Sequence, residues 1–400
     1  MNRMKIAFLT SGGLAPCLSA SIAALLESYE MENISADFSG YLNGYQGLLK
    51  GESYEFPSHI TKNVGILYSF GGSIIGNSRV KLTNREDCEK KGLISPGENP
   101  LEKAAEQLIK DKITVLHTIG GDDTNTMAAE LSRYLQDNGY DLTVVGLPKT
   151  VDNDIIPIVQ SLGADTAAEQ GALFFENIVN ENTASPRQLT IHEIMGRSCG
   201  WLTAATAKKY RDRLATRSFD HDLLLYCENW DIDAIFIPEL HIDLEKEGKR
   251  LLGKMNNKDS VNIFLSEGAC VSEIVDEMKR NNEEIKLDAF GHIRLDDINP
   301  GQWFAIQFSQ IIGAEKTLVQ KSGYFSRSAA PNEKDIQLIK ETASKAVQCA
   351  LECKSGVVGM DEGRDGKLSL IEYKRIKGGR MFDFQTDWFQ KMLGEIGQVS

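Results

Sequence analysis

The sequence predicts an α/β fold in which mainly parallel sheets, divided between two lobes, carry helices on both faces. Short apolar runs alternate with helical patterns along the chain, which is the order that βαβ units require. With 400 residues and 42% hydrophobic content the chain can bury a sizeable core, and its length favours two lobes over one. Two of the apolar runs also break abruptly into glycine, lysine and acidic residues. Open parallel sheets bind ligands beyond the carboxyl ends of their strands, so that is where chemistry is expected.

The elements follow in order. A first strand at 5–9 ends in Thr10-Ser11-Gly12-Gly13 and is followed by a helical pattern at 18–29. A helix at 101–110 precedes the strand at 113–119, which opens into Gly120-Gly121-Asp122-Asp123-Thr124-Asn125-Thr126 and a helix over 125–135. The strand at 142–147 runs directly into Pro148-Lys149-Thr150-Val151-Asp152-Asn153-Asp154. A lobe boundary is expected near 155–162, then a helix at 164–179, a strand at 189–194 and a helix at 200–210. Further strands are expected at 234–237, 261–265 and 317–319; Asn299-Pro300 opens a helix, and a long helical run covers 335–353.

The two strand ends after 119 and 147 hold the strongest chemical signal. Paired glycines let the backbone approach an anion, and the N–H groups that open a helix favour negative charge. Asp122 and Asp123 conflict with a phosphate there unless a magnesium ion lies between, since hard oxygen ligands plus substrate phosphates are how Mg²⁺ is usually held. Asp152 and Asp154, two residues apart, point the same way if the segment is extended, and one of them suits a general base. Taken alone, Gly-Gly-Asp-Asp also reads as a turn with a helix cap, and the second motif as a solvated loop. Their recurrence at two strand ends favours the chemical reading.

These two motifs, with Met195-Gly196-Arg197-Ser198-Cys199-Gly200-Trp201 further on, resemble the phosphofructokinase family. Gly71-Gly72-Ser73 through Arg79, Ile237-Pro238-Glu239 and Gly323-Tyr324-Phe325-Ser326-Arg327 fall in the family's order, so the resemblance covers most of the chain. It implies two Rossmann-like lobes with the active site in the cleft between them. Residues 1–160 and about 325–400 would form the phosphoryl-donor lobe, and about 161–324 the sugar-phosphate lobe. Asp123 and Lys149 stand where ATP-using members generally carry glycine, which is the pattern of the pyrophosphate-dependent type. A carboxylate at Asp123 would take the space, and duplicate the charge, of the α-phosphate of ATP.

The resemblance further implies transfer of a phosphoryl group from pyrophosphate to the 1-hydroxyl of fructose 6-phosphate, reversibly, giving fructose 1,6-bisphosphate and phosphate. Asp152 is then the general base, Thr150 and Asp154 orient the hydroxyl and the metal shell, and Val151 lies among the substrate contacts. Asp122 holds Mg²⁺, Lys149 stabilises the transferring group, and Gly12, Gly13 and Arg79 receive the diphosphate through backbone N–H groups and charge. Met195, Gly196 and Arg197 shape the acceptor pocket, and Glu239 binds sugar hydroxyls. Lys321, Tyr324 and Arg327 take the 6-phosphate. Gly291-His292-Ile293-Arg294 is the competing segment for that role, and His292 also reads as a satisfied surface histidine.

This chain departs from the family in places. Leu14-Ala15-Pro16-Cys17 replaces the acidic residue that nucleotide users favour, Gln188 stands where an arginine often reaches across a subunit boundary, with Arg187 one residue away, and 287–312 resembles an insertion. The net charge of −13 disfavours nucleic acid, and no apolar run is long enough to span a membrane. No signal-peptide pattern precedes the first strand, so a cytoplasmic protein is expected, as a homodimer or homotetramer. Seven cysteines without a Cys-x-x-Cys pair argue against a disulfide framework or zinc ribbon, and Cys349 and Cys353 suit core packing on a helix. The charges at 245–249 and Glu283 and Glu284 read as solvated surface. Three other readings remain: an ATP-dependent phosphofructokinase, disfavoured by Asp123 and Lys149; a silent regulatory subunit, disfavoured by the retained Asp122, Asp152 and Asp154; and a dinucleotide oxidoreductase, disfavoured by the missing Gly-x-Gly-x-x-Gly turn.

Overall fold

The computed structural model describes residues 3–286 and 294–398, so Gly291, His292 and Ile293 lie outside the described residues. Its strands are β1 Met4–Thr10, β2 Ala36–Tyr41, β3 Ser53–Glu55, β4 Val115–Gly120, β5 Thr143–Pro148, β6 Gln188–Ile194, β7 Ala234–Phe236, β8 Ser260–Ser266, β9 Lys316–Lys321, β10 Gly356–Asp361 and β11 Lys367–Ile371. They form a sheet of order β11-β10-β5-β4-β1-β2-β3 and a second of order β7-β8-β6-β9. The chain is an α/β protein of two compact units, Met1–Thr166 with Arg327–Arg380 and Ala167–Ser326 with Met381–Ser400.

In the first unit β2, β1, β4, β5 and β10 run parallel, and β3 and β11 are antiparallel edges. The inner strands are buried throughout, as both faces of a parallel sheet demand. Tyr41, Tyr45, Leu108, Leu131 and Val144 belong to the core on one face, and Ile155, Ile158, Val357, Ile371 and Ile376 make a smaller one under the loop after β5. Asp335 fastens the returning helix Glu333–Leu351: its carboxylate accepts from the N–H groups of Gly163 at 3.0 Å and Thr166 at 2.8 Å.

The second unit is wholly parallel among its described strands, with β6 flanked by β8 and β9. Its core stacks Phe236 against Phe304 and Phe308, beneath Leu189, Ile263 and Met255. Residues 381–400 were expected to return with the first lobe, yet Met381–Ser400 belongs to this unit. Gln398 helps to tie it there, its side-chain amide bonding the N–H and the carbonyl of Ile235 beside the edge strand β7 at 2.8 and 2.9 Å. Arg187 is spent locally as well, donating to the carbonyls of Ile312 and Gly313 at the end of helix Pro300–Ile312, while Gln188 is buried.

Two local expectations change. The stretch 245–249 is not all solvated surface: it lies in helix Leu244–Lys258, where Glu247 is buried and holds Arg250 at 2.7 Å. Cys349 is buried but Cys353 is exposed at positive φ beyond the end of its helix, so the two do not pack together in the core. All seven cysteines are free.

Two fully buried histidines carry a pH signature. His117 bonds the Tyr29 hydroxyl at 2.7 Å and His192 bonds the Ser322 hydroxyl at 2.8 Å; burial pushes each imidazole down to about 3. The folded state therefore holds them neutral while the unfolded chain protonates near 6.5, so stability is complete above that pH and is lost as pH falls toward the folded value. The urea midpoint is expected to fall between pH 7 and about 5, above the carboxylate range, with a shallower slope in His117→Gln; an unchanged slope in that variant rules the assignment out.

Candidate active site

The glycine turn after β1 is held by the segment 71–79. Ser11 pairs with Ser78, the Gly12 N–H donates to the Ser78 carbonyl at 2.9 Å, Asn77 donates to the Gly12 carbonyl, and Thr10 reaches Gly76 at 2.6 Å. Gly12 has φ +93, a left-handed value that side chains rarely adopt. The expectation that both Gly12 and Gly13 offer their N–H groups to phosphate thus needs correcting, because the Gly12 donor is already used by Ser78. Gly12, Gly13, Leu14, Arg79 and Arg327 line one cavity of about 440 Å³. Arg327, expected among the 6-phosphate residues, also lies on the wall of this cavity.

Beside that turn, β4 and β5 end in register, Gly120 opposite Pro148, and the Lys149 N–H continues the ladder to the Gly120 carbonyl at 2.9 Å. The Lys149 side chain is 3% exposed and its ammonium donates to the Gly13 carbonyl at 2.5 Å. Burial pulls its pKa down to about 8, against the upward pull of Asp152 and Asp154. Asp122 and Asp123 open helix Asp122–Asp137, where its N–H groups favour negative charge. Asp123 is not a bare carboxylate, since Lys81 pairs with it at 2.5 Å.

The loop after β5 is a tight turn rather than an extended segment. Asn153 sits at φ +53, and its side chain ties the loop to itself through the Val159 carbonyl and the Ser161 N–H. Thr150 links both neighbouring acids, accepting from the Asp152 N–H and donating to Asp154, each at 3.2 Å. Asp154 is held above the usual carboxylate range, by burial first and then by the charge of Asp122. Val151 is buried beneath the loop.

In the second unit, Gly196 holds φ +133 behind Met195, its carbonyl accepting from Ser266 at 2.6 Å and its N–H donating to Glu267. Arg197 lies exposed beyond it. Both Glu239 oxygens accept from the Gly200 N–H, at 2.9 and 3.1 Å, and one also accepts from Phe382 at 2.8 Å. Glu239 therefore caps helix Trp201–Leu214, and Gly200 has no room for a side chain because a Cβ would strike this carboxylate. Lys321 pairs with the buried Glu193 at 2.9 Å, and Tyr324 on helix Gly323–Arg327 is 75% exposed.

Residues 5–350 match the family model described as phosphofructokinase. The chain belongs to the phosphofructokinase family. A protein of Methylomonas methanica named pyrophosphate–fructose 6-phosphate 1-phosphotransferase is 57% identical over 399 residues, covering 100% of this chain and 98% of that one. A protein of the same name from Methylotuvimicrobium alcaliphilum is 55% identical over 399 residues, again covering 100% and 98%. The crystal structure of a pyrophosphate-dependent phosphofructokinase from Marinobacter aquaeolei shares the fold, with TM-score 0.73 at 18% identity, covering 98% of this chain and 91% of that one.

Several residues around this candidate site leave little or no local signal in the sequence. Lys81 stands two positions after Arg79, a spacing that points both side chains one way in an extended segment. Asn125 donates to the carbonyls of Gly120 and Gly121 at 3.1 and 2.8 Å, fixing the glycine pair from inside the helix. Arg380 donates to the Ile158 carbonyl across 222 residues of sequence, and no local pattern announces it. For Glu239 the expected outcome is structural as well as chemical: Glu239→Ala should cost about 2 kcal/mol in urea unfolding through the lost helix cap, whereas a cost within error would show that the cap is not needed.

Proposed function

We propose that this phosphofructokinase transfers a phosphoryl group from pyrophosphate to the 1-hydroxyl of fructose 6-phosphate, reversibly, forming fructose 1,6-bisphosphate and releasing phosphate. The observation that carries the reading is the pair of donor-side cations: Lys149, buried against Gly13, and Lys81, neutralising Asp123. An α-phosphate arriving at Asp123 would have to displace a carboxylate already satisfied by its own lysine, which disfavours a nucleotide without leaving an uncompensated charge in the resting site. The high identity to relatives named for pyrophosphate supports the same donor.

In this reading the 1-hydroxyl oxygen attacks the terminal phosphorus, a new P–O bond forms as the bridging P–O bond breaks, and the leaving phosphate keeps the electron pair. Asp152 accepts the hydroxyl proton, and Thr150 keeps that acid and Asp154 in fixed relation. The Lys149 ammonium and the Gly13 N–H stabilise charge on the transferring group, with Arg79 beside them. Arg197 and Glu239, with Met195 and Gly196, hold the sugar, and Lys321, Tyr324 and Arg327 take the 6-phosphate. Asp122 and Asp154 would hold a Mg²⁺ ion, since the backbone of 377–380 lies against Asp122 at Gly378 and bonds Asp154 through Arg380, and among the described residues no cluster of three His, Cys, Asp or Glu side chains makes a closed cage. Magnesium is commonly held by one or two carboxylates plus substrate phosphates, where it neutralises charge on the group in transit. Among the described residues no helix is long and apolar enough to cross a membrane, and a cytoplasmic homodimer or homotetramer is the assembly proposed.

Two measurements test the donor assignment. Fructose 1,6-bisphosphate formation from fructose 6-phosphate and Mg²⁺ should proceed with pyrophosphate and not with ATP, and Asp123→Gly combined with Lys149→Gly should lower kcat/KM for pyrophosphate by roughly 100-fold or more while admitting some ATP. Turnover with ATP alone would keep the family and overturn the donor. Separately, kcat/KM for pyrophosphate should decline as pH rises through about 8, since the Lys149 ammonium is present below that value and lost above it. Lys149→Arg, which keeps its charge, should flatten that limb; a limb that stays in place belongs to another group.

A further inference from the structure

The loop that carries Asp152 and Asp154 is bounded on one side by a part of the chain that the family match, ending at residue 350, does not reach. Residues 377–380 run alongside it. The Ile156 N–H donates to the Lys377 carbonyl at 2.7 Å and the Lys377 N–H returns to Ile156 at 3.0 Å; the Arg380 N–H donates to the Asp154 carbonyl at 2.9 Å. The Arg380 guanidinium reaches the Ile158 carbonyl at 2.6 Å and pairs with Glu362 at 2.6 Å. Nearer its base the loop is tied to the end of β10, through Val159 to Met360 and Glu362 to Pro157. Ile155 and Ile158 are buried with Ile376.

Gly378 adds an independent observation. A Cβ built there would lie on the Asp122 carboxylate, so the backbone of 377–380 passes directly against that acid. One four-residue segment thus touches Asp122 through Gly378 and brackets Asp154 through Arg380, whose positive charge also acts on Asp154. The neighbouring Gly379 holds φ +78, a conformation that lets the chain turn away again without strain.

We propose that residues 377–380 form a strap that positions the acidic loop for phosphoryl transfer, with Arg380 as its principal positioning residue. Arg380 holds the loop from two directions, through its backbone to Asp154 and through its guanidinium to Ile158, so that Asp152 is presented in one geometry. The strap acts through the loop and not on the phosphate donor, because Lys149 is fastened instead to the carbonyls of Gly13 and Gly120. This rests on the proposed role of Asp152 as base, but the clamp itself is a property of the protein without substrate.

The experiment compares the full chain with Arg380→Ala and Arg380→Lys. Amide hydrogen exchange of peptides covering 150–162, read by mass spectrometry on protein without ligand, should be about 10- to 100-fold faster in Arg380→Ala, as loss of a charged hydrogen bond to the backbone implies. Peptides from β1 and β4 should exchange as before. With fructose 6-phosphate and pyrophosphate, kcat should fall at least tenfold while KM for pyrophosphate stays within about twofold, and Arg380→Lys should recover part of kcat. Unchanged exchange in 150–162, or a fall in kcat accompanied by an equal weakening of pyrophosphate and general loss of protection, would overturn the strap. Should Arg380→Ala not fold, the lysine variant carries the same comparison. If the unsubstituted protein turns over no pyrophosphate, the proposed function fails, while the exchange data still decide whether the strap exists.

Discussion

Register between β4 and β5 is the constraint on which the first unit's chemistry depends. Parallel strands in register end together, so Gly120 lies opposite Pro148 and the residues that follow each are delivered side by side. Asp122 and Asp123 then open a helix within reach of the turn that carries Lys149, Thr150, Asp152 and Asp154. A slip of one residue would reverse the faces of β5 and carry Lys149 away from Gly13. The burial of both strands, six residues each with little exposure, is what fixes that register.

Charge in this chain is handled in compensated units. Asp123 has Lys81, Glu193 has Lys321 and the Gly301 N–H, and the fully buried Asp361 is held by Arg375 from two nitrogens. An isolated buried charge is costly, so Glu193 and Asp361 are matched where they enter the interior, while Asp123 is paired at the exposed start of its helix. Lys149 is the instructive case: it is buried beside carboxylates but bonded to a neutral carbonyl, and its proton is held less tightly than that of an ordinary lysine. Such a group can respond to an arriving anion, which a fully paired lysine cannot do without breaking its pair.

Much of this architecture was legible, for reasons specific to each element. β4, β5, β6 and β8 are buried on both faces and are rich enough in Val, Ile and Leu to stand out, although β6 also carries Thr190, His192 and Glu193. β2, Ala-Asp-Phe-Ser-Gly-Tyr, is half-exposed and gives no such run, and β10 is interrupted by glycine, so neither was anticipated. At the site, Asp122, Asp152, Asp154 and Lys149 could be named because they cluster in short motifs. Lys81, Arg380 and Gln398 act across long separations, and a side chain whose partner is brought by the fold leaves no local trace. Asn153 is hidden differently: nothing in its residue type between two acids announces the left-handed conformation that sets the turn.

The placement of β10 next to β5 has a consequence for how the molecule is made. β5 ends at Pro148 and its outer neighbour begins at Gly356, so on the ribosome an apolar parallel strand leaves the exit tunnel about two hundred residues before the strand that covers its edge. At bacterial-type elongation rates that interval is roughly 10 to 40 s. Throughout it the newborn sheet presents the unpaired peptide groups of alternate β5 residues, Val144 among them, the kind of edge that recruits other nascent chains. The first unit's sheet is therefore completed last, after the whole of β6 to β9 has been synthesised.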